Sequence, residues 1–197
     1  MSTLNLIGTK TIETEHFILR AFRESDGEYM YKNWASDPDV ARYVTWEPHT
    51  SPEISRELCR IWEEDSKRSD IFNWAMVLKE TGEPIGGISV VKLDEKISEA
   101  DIGYCMGQKW WNKGYMTECF RAVIKFLFTE VNINRISACH HTSNPASGKV
   151  MKKCGLRPEG IKRQGAILNG ELFDLAQYAI LRSDYENKLQ PCSFHKS

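Results

Sequence analysis

Ala100-Asp-Ile-Gly-Tyr-Cys-Met-Gly-Gln-Lys-Trp-Trp-Asn-Lys-Gly-Tyr-Met-Thr-Glu118 is the stretch on which the fold turns. Ser98 to Met106 reads as a strand that ends near Met106, and a short loop follows. Gly114 then opens a helix to Glu130, with Met116, Phe120, Val123, Ile124, Leu127 and Phe128 at helical spacing. A loop feeding a helix N-terminus presents unpaired backbone N–H groups and the positive end of the helix dipole. That is an anion site, suited to a pyrophosphate. Gly114 lets the backbone approach phosphate oxygens with no Cβ in the way, and Lys113 adds a cation at the rim. A glycine used only for tight packing is the competing explanation. The stretch is neither a Walker loop nor a Gly-x-Gly-x-x-Gly fingerprint.

Upstream, Thr11 to Phe22 reads as an opening strand, and Ser25-Asp26 caps a helix through Ala35 with Tyr29, Met30 and Trp34 among its apolar positions. Ser51-Pro52-Glu53 starts a helix that runs to about Arg68, with Ile54, Leu58, Ile61 and Trp62 on one face. Phe72 to Leu78 and Pro84 to Leu93 flank a Gly-containing hairpin loop at Lys79-Glu-Thr-Gly-Glu83. Downstream, Arg135 to His141 is a short strand, and Ser143-Asn144-Pro145 opens a helix ended by Gly155. Leu156 to Arg182 reads as two strands turned at Leu168-Asn169-Gly170. The order is an antiparallel meander joined to one strand–helix–strand crossover. It predicts an α+β (mixed α/β) fold, with one domain over 1–184 and a polar tail over 185–197.

The chain has 197 residues, 26 Lys+Arg against 27 Asp+Glu, and 41% hydrophobic residues, enough apolar content for a packed core. The near-neutral charge argues against a nucleic-acid partner. No apolar run reaches the ~18–20 residues of a membrane span, and the N-terminus carries no secretory signal, so a cytoplasmic protein is expected. The six cysteines (59, 105, 119, 139, 154 and 192) form no Cys-x-x-Cys and no metal-ligand spacing with histidine, and they read as reduced thiols. His140 and His141 are adjacent on a strand, point to opposite faces and do not form a chelating pair. No metal site is expected. Trp110 and Trp111 pack over a ligand or serve the core.

Asn144-Pro-Ala-Ser147 carries an amide that both donates and accepts, which suits an amide-rich ligand; a helix cap is the plainer use of Asn144. Together these stretches resemble the GNAT superfamily of acetyl-CoA-dependent N-acetyltransferases, most closely its Rim-type branch. The matching segments are Ile18-Leu-Arg20, Asp101-Ile-Gly-Tyr104, Trp111-Asn-Lys-Gly-Tyr-Met-Thr-Glu118, Asn144-Pro-Ala-Ser147, Lys153-Cys-Gly-Leu156, Asp174 and Tyr178-Ala-Ile-Leu181. They span residues 9–183. Asn112 stands where the phosphate loop usually has Gly, and Met116 where a small residue is usual. The resemblance implies a mostly antiparallel sheet of about six to seven strands flanked by about four helices.

It also implies acetyl-CoA as co-substrate and direct attack by an amine on the thioester. Trp111, Asn112, Lys113, Gly114, Tyr115, Met116 and Thr117 would form the phosphate loop. The strand end at Tyr104, Cys105 and Met106 would pair with the pantetheine arm, as an added strand would, and Met106 N–H would face the thioester oxygen. Asn144 and Ser147 complete the cofactor set, and Ser147 would hydrogen-bond the leaving thiolate. Asp101 takes the family's strand acid and is the candidate base; alternation puts it on one face with Gly103 and Cys105, and Glu99 is the reserve. The acceptor is a protein N-terminal α-amine, or alternatively a polyamine, amino acid or antibiotic. A sensor that binds coenzyme A without turnover is the non-enzymatic alternative, and a homodimer is left open.

Overall fold

The computed structural model describes residues 3–168 and 170–189, so Asn169, Cys192 and most of the expected tail lie outside the described residues. Its strands form one sheet in the order β1 (Ile12–Glu13), β2 (Phe17–Ala21), β3 (Asn73–Leu78), β4 (Pro84–Asp94), β5 (Glu99–Met106), β6 (Arg135–His141), β8 (Glu171–Leu181), β7 (Arg157–Leu168). Neighbours are antiparallel except β5 and β6, which run parallel and are joined by α4 (Tyr115–Thr129). The remaining helices are α1 (Gly27–Met30), α2 (Pro38–Ala41), α3 (Pro52–Asp65), α5 (Pro145–Cys154) and α6 (Arg182–Leu189). This is the mixed, mostly antiparallel architecture expected, with eight strands among the described residues.

Four local readings change. The opening run is a small hairpin rather than one strand, because Thr14 N–H donates to Phe17 O at 2.9 Å and turns β1 onto β2. The helix expected over 25–35 is α1 continued by a π-turn at Tyr31–Ala35, and Asp26 does not cap it with its side chain. The short α2 had no apolar period to show it and is capped by Asp37, whose carboxylate accepts from Asp39 N–H at 2.8 Å. The helix carries on over the first residues assigned to the tail: α6 reaches Leu189, with the Tyr185 ring 5.2 Å from that of Phe128.

The apolar face of α3 is borne out at Leu58 and Trp62, which pack against the smaller core, and not at its other two residues. Ile54 and Ile61 are exposed, while Ser55 and Cys59 are buried. Gly27 sets this phase, since a Cβ there would meet Arg56 Cα at 2.4 Å. The α1 backbone therefore lies directly on the Ser55–Arg56 backbone of α3, with the Arg56 side chain turned outward to Glu28.

Strand alternation divides the interior between the two sheet faces. Phe17, Leu19, Trp74, Met76, Ile102 and Met106 join α4 and α5 in the larger core. Ala75 and Val77 join Met30, Trp34 and Cys59 in the smaller one, under α1 and α3. The smaller core has a polar pin. Arg20 forks onto Asp26 at 2.7 and 2.8 Å, and Asp26 also accepts from Arg23 N–H at 2.9 Å. Asp26 is 3% exposed, so removing the guanidinium strands a buried carboxylate. Arg20→Ala should lower unfolding stability by about 3–5 kcal/mol in urea melts, and a loss under about 1 kcal/mol would contradict this pin.

Candidate active site

β5 and β6 hold each other only at Glu99↔Arg135, Ala100↔Ile136 and Asp101↔Ser137. Past these pairs they part. On the other side of β5 the ladder skips Val91 between Val90↔Ile102 and Lys92↔Asp101, and such a bulge sharpens local twist where β5 leaves its parallel neighbour. Gly107 N–H donates to Ile85 O at 2.9 Å, across to β4. By ladder alternation, the Met106 and Tyr104 N–H groups point the opposite way, into the gap. The Met106 carbonyl faces that way too, since it accepts from Trp111 Nε1 at 2.7 Å.

The loop from β5 to α4 ends at the gap's mouth. Gly114 has φ +85°, and nothing lies within 4 Å of a Cβ built on it. Tight packing is therefore not why glycine stands there; the left-handed backbone is. Asn112 has φ +62°, a conformation asparagine tolerates better than most residues, so it can stand in for a glycine. The first helical carbonyl, Gly114 O, accepts from Glu118 N–H at 3.0 Å. The N–H groups of Tyr115, Met116 and Thr117 are thus unpaired within the helix and available to an anion. Met116 is buried in the larger core and Lys113 is exposed, so from Met116 only the backbone serves such a ligand. Trp110 is likewise core, while Trp111 is 40% exposed.

Across the gap, Asn144 Oδ1 accepts from Ser147 N–H at 3.4 Å, so the capping use holds. Its Nδ2 has no partner among the described residues. The Tyr104 hydroxyl lies 3.1 Å from Ser147 O and 2.9 Å from Ser147 Oγ. A carbonyl cannot donate, so the first contact is a bond given by Tyr104; the second leaves the two hydroxyls able to share a proton. Burial pushes the Tyr104 phenol well above its usual range, so it stays protonated. The sequence singled out both residues, Ser147 for the leaving thiolate and Tyr104 for backbone pairing with the cofactor; the contact between their hydroxyls is what it did not show.

On the α1–α3 side of the sheet lies a cavity of about 410 Å³. Gly103, Cys105, Cys139, Asn144 and Ser147 reach it, together with Trp34, Trp46 and Trp62 from the first third of the chain. Asp101 is on the same strand face as Gly103 and Cys105 but does not line the cavity; it sits at the gap's closed end. Burial first, then the neighbouring Glu99, raises the Asp101 carboxyl above its usual pKa, with Lys92 opposing. Glu99 itself is taken up by Arg135 at 3.0 Å. His140 gives its Nδ1 proton to His141 O at 2.8 Å and stacks on Tyr178, whereas His141 accepts from Ser143 N–H at 3.0 Å and stacks on Phe173. Among the described residues no group of three or more His, Cys, Asp or Glu could hold a metal, and no helix is long and apolar enough to cross a membrane.

The family model described as acetyltransferase (GNAT) domain matches residues 16–157. A Bacillus licheniformis protein named uncharacterized N-acetyltransferase p20 is 29% identical over 176 residues, 89% of this chain and 98% of its own. The ribosomal protein uS5-alanine N-acetyltransferase of Escherichia coli is 31% identical over 84 residues, 43% of each chain. The solved structure of RimL, the ribosomal L7/L12 α-N-protein acetyltransferase in complex with coenzyme A, shares the fold. Its TM-score is 0.78 at 22% identity, over 87% of this chain and 98% of its own.

Burial also determines what the cysteines can do. The Cys105 thiol is pushed up to about 11, and Cys59 and Cys154 to about 12. A thiol with a raised pKa stays protonated until the pH nears that value, and the thiolate is the nucleophile. Brief iodoacetamide treatment of the folded protein at pH 8 should leave these three cysteines unlabelled, while the urea-unfolded chain labels. Mass mapping reads the result, and rapid labelling of Cys105 in the folded protein would reopen a cysteine nucleophile.

Proposed function

The chain belongs to the GNAT family of N-acetyltransferases, and we propose that it takes the acetyl group from acetyl-CoA and passes it by direct attack to a protein N-terminal α-amine. The observation that carries this reading is the parting of β5 from β6, with the α4 N-terminus at its mouth. The residues present fit the co-substrate. The unpaired N–H groups of Tyr115, Met116 and Thr117 suit its pyrophosphate, with Lys113 at the rim. The free β5 edge suits the amide-rich pantetheine arm, and RimL, of the same fold, was solved with coenzyme A.

Bound acetyl-CoA supplies a thioester carbonyl: the amine lone pair forms the N–C bond, the C–S bond breaks with its pair on sulfur, and the amine sheds a proton. The chain's own groups divide the remaining work. Met106 N–H, turned into the gap, is set to donate to the carbonyl oxygen as charge grows there. The Ser147 hydroxyl hydrogen-bonds the departing sulfur, and Tyr104, which stays protonated, holds Ser147 in place through its contacts to Ser147 O and Oγ. Asp101 receives the amine's proton through water, because it lies two residues, about 6–7 Å along the strand, from Gly103 at the cavity. Its raised pKa makes it a better base near neutrality than an ordinary carboxylate. The α-amine assignment draws on the partial match to the uS5-alanine enzyme and on pKa, since an α-amine at about 7.7–8.0 needs far less help than a lysine at about 10.4.

Calorimetry should show coenzyme A binding with 1:1 stoichiometry. Gly114→Val, which forces a β-branched residue to φ +85°, should weaken it by about tenfold or more through the lost phosphate hydrogen bonds. Unchanged affinity in a folded variant would falsify the anion site. Asp101→Asn should lower kcat by about 10²–10⁴-fold at neutral pH with coenzyme A affinity intact. The parent should lose activity as acid protonates Asp101. The deficit of the variant should shrink toward pH 8–9, where an α-amine is largely neutral unaided; full activity of Asp101→Asn at pH 7 would remove Asp101 from the mechanism.

A further inference from the structure

Resting on the acetyl-transfer reading above, we infer that the acceptor is a monoamine whose amine-bearing carbon carries an aromatic or large aliphatic group, lodged in the cavity between the sheet and the α1–α3 cover. The cavity's wall carries no Asp, Glu, Lys or Arg among the described residues. Its floor on β4 and β5 is made largely of small residues, Gly87, Ser89, Gly103 and Cys105, with the branched Val91 among them. Neither glycine has room for more. A Cβ on Gly87 would come within 3.1 Å of Phe22 Cζ, and one on Gly103 within 2.8 Å of Val91 Cγ1. Its cover is aromatic. Trp62 lies against Phe22 with centroids 4.7 Å apart, and Trp46 against His49 at 5.9 Å.

A substituent lodged between this floor and the aromatic cover gains apolar contact on both sides. An aromatic side chain brings roughly 150–250 Å² of burial to such a site. Charge selects in the same direction. His49 Nδ1 and Ser55 Oγ share a 2.7 Å hydrogen bond, and burial holds the imidazole below its ordinary pKa, so it adds no charge at neutral pH. The Arg20–Asp26 pair on this side of the sheet satisfies itself. The reacting amine has Asp101 at the end of the gap, but a second ammonium held in the cavity would meet no counter-charge, and burying an unpaired charge is costly. Polyamines and polycationic antibiotics are thereby disfavoured, as are N-termini that begin with Asp, Glu or Lys. An uncharged bulky side chain is favoured whether it belongs to a free amine or to the first residue of a peptide.

The test uses the purified protein with acetyl-CoA and follows acetylated product by mass spectrometry. The acceptors are phenylalaninamide, leucinamide, alaninamide, lysinamide, spermidine and hexapeptides that begin with Phe, Ala or Asp. kcat/KM for phenylalaninamide and leucinamide should exceed alaninamide by about tenfold or more, the range that missing apolar groups produce in a fitted pocket. Lysinamide and spermidine should fall below alaninamide. Preference for the Phe hexapeptide over phenylalaninamide would assign the group to a protein N-terminus, and the reverse to a small amine; each keeps the acceptor class. Ser89→Phe, which fills the cavity from the floor, and Trp46→Ala, which opens its cover, should each shrink the phenylalaninamide-to-alaninamide ratio to under about threefold, with coenzyme A affinity and thermal melting checked alongside. Equal use of all acceptors, or preference for spermidine, overturns the acceptor class. Bound coenzyme A with no acceptor turned over does so as well, while absent coenzyme A binding overturns acetyl transfer itself.

Discussion

The site depends on one limited pairing: β5 and β6 share three register pairs and then separate. A sheet that stayed zipped would spend the N–H and C=O groups of Tyr104 and Met106 on its neighbour. Parted, it leaves them facing an opening that an extended ligand can enter as a further strand. The parallel crossover makes this possible. α4 must begin beside the end of β5 to return the chain for β6, so its N-terminal amides arrive at the mouth of the same opening. Gap and anion site are two consequences of one connection.

The opening also joins two chemically different sides of the sheet. Toward α4 and α5 lie Tyr104 and Ser147, hydroxyls held by each other and by the start of α5. Toward α1 and α3 lie Asp101, at the closed end, and a cavity of aromatic and small residues. A group that must leave as an anion meets donors on the first side. The second side carries, at the closed end of the gap, a carboxylate whose pKa burial raises. Strand alternation puts Asp101 and Tyr104 on opposite faces of β5, because they differ by an odd number of residues, while Tyr104 and Ser147 also border the cavity through the gap.

Local patterns made half of this legible in the sequence. Strand, loop, Gly114 and apolar helix follow one another without interruption, so the anion site could be read before any long-range contact was known. The cap role of Asn144 was equally local. The hairpin at Thr14 hid inside one alternating run because the alternation continues across the turn. The face of α3 was legible at Leu58 and Trp62 but not at Ser55 and Cys59, whose burial follows from the close approach of Gly27 rather than from apolar spacing. The cavity was beyond reach altogether, since its wall gathers residues from Phe22 to Ser147 that share no spacing.

That uneven legibility has an energetic origin. The β5–α4–β6 frame is buried in the larger core with α5, where Trp74, Phe120, Phe128 and Leu127 are almost fully enclosed and a volume change is costly. The cover over the cavity has a smaller core and is held by individual polar ties: Arg20 to Asp26, Asn33 Nδ2 to Pro84 O at 2.9 Å, His49 N–H to Ala35 O at 2.8 Å. Such ties fix where the cover's backbone lies and leave the side chains facing the cavity free to differ in size and polarity. Trp46 and Leu58 are only half-buried, so changing them alters what the cavity admits at less cost to folding than changing Phe120. The β5–α4–β6 frame is thus constrained by packing. The part that lines the cavity is held less by packing, so its side chains can differ in size and polarity at less cost to the fold.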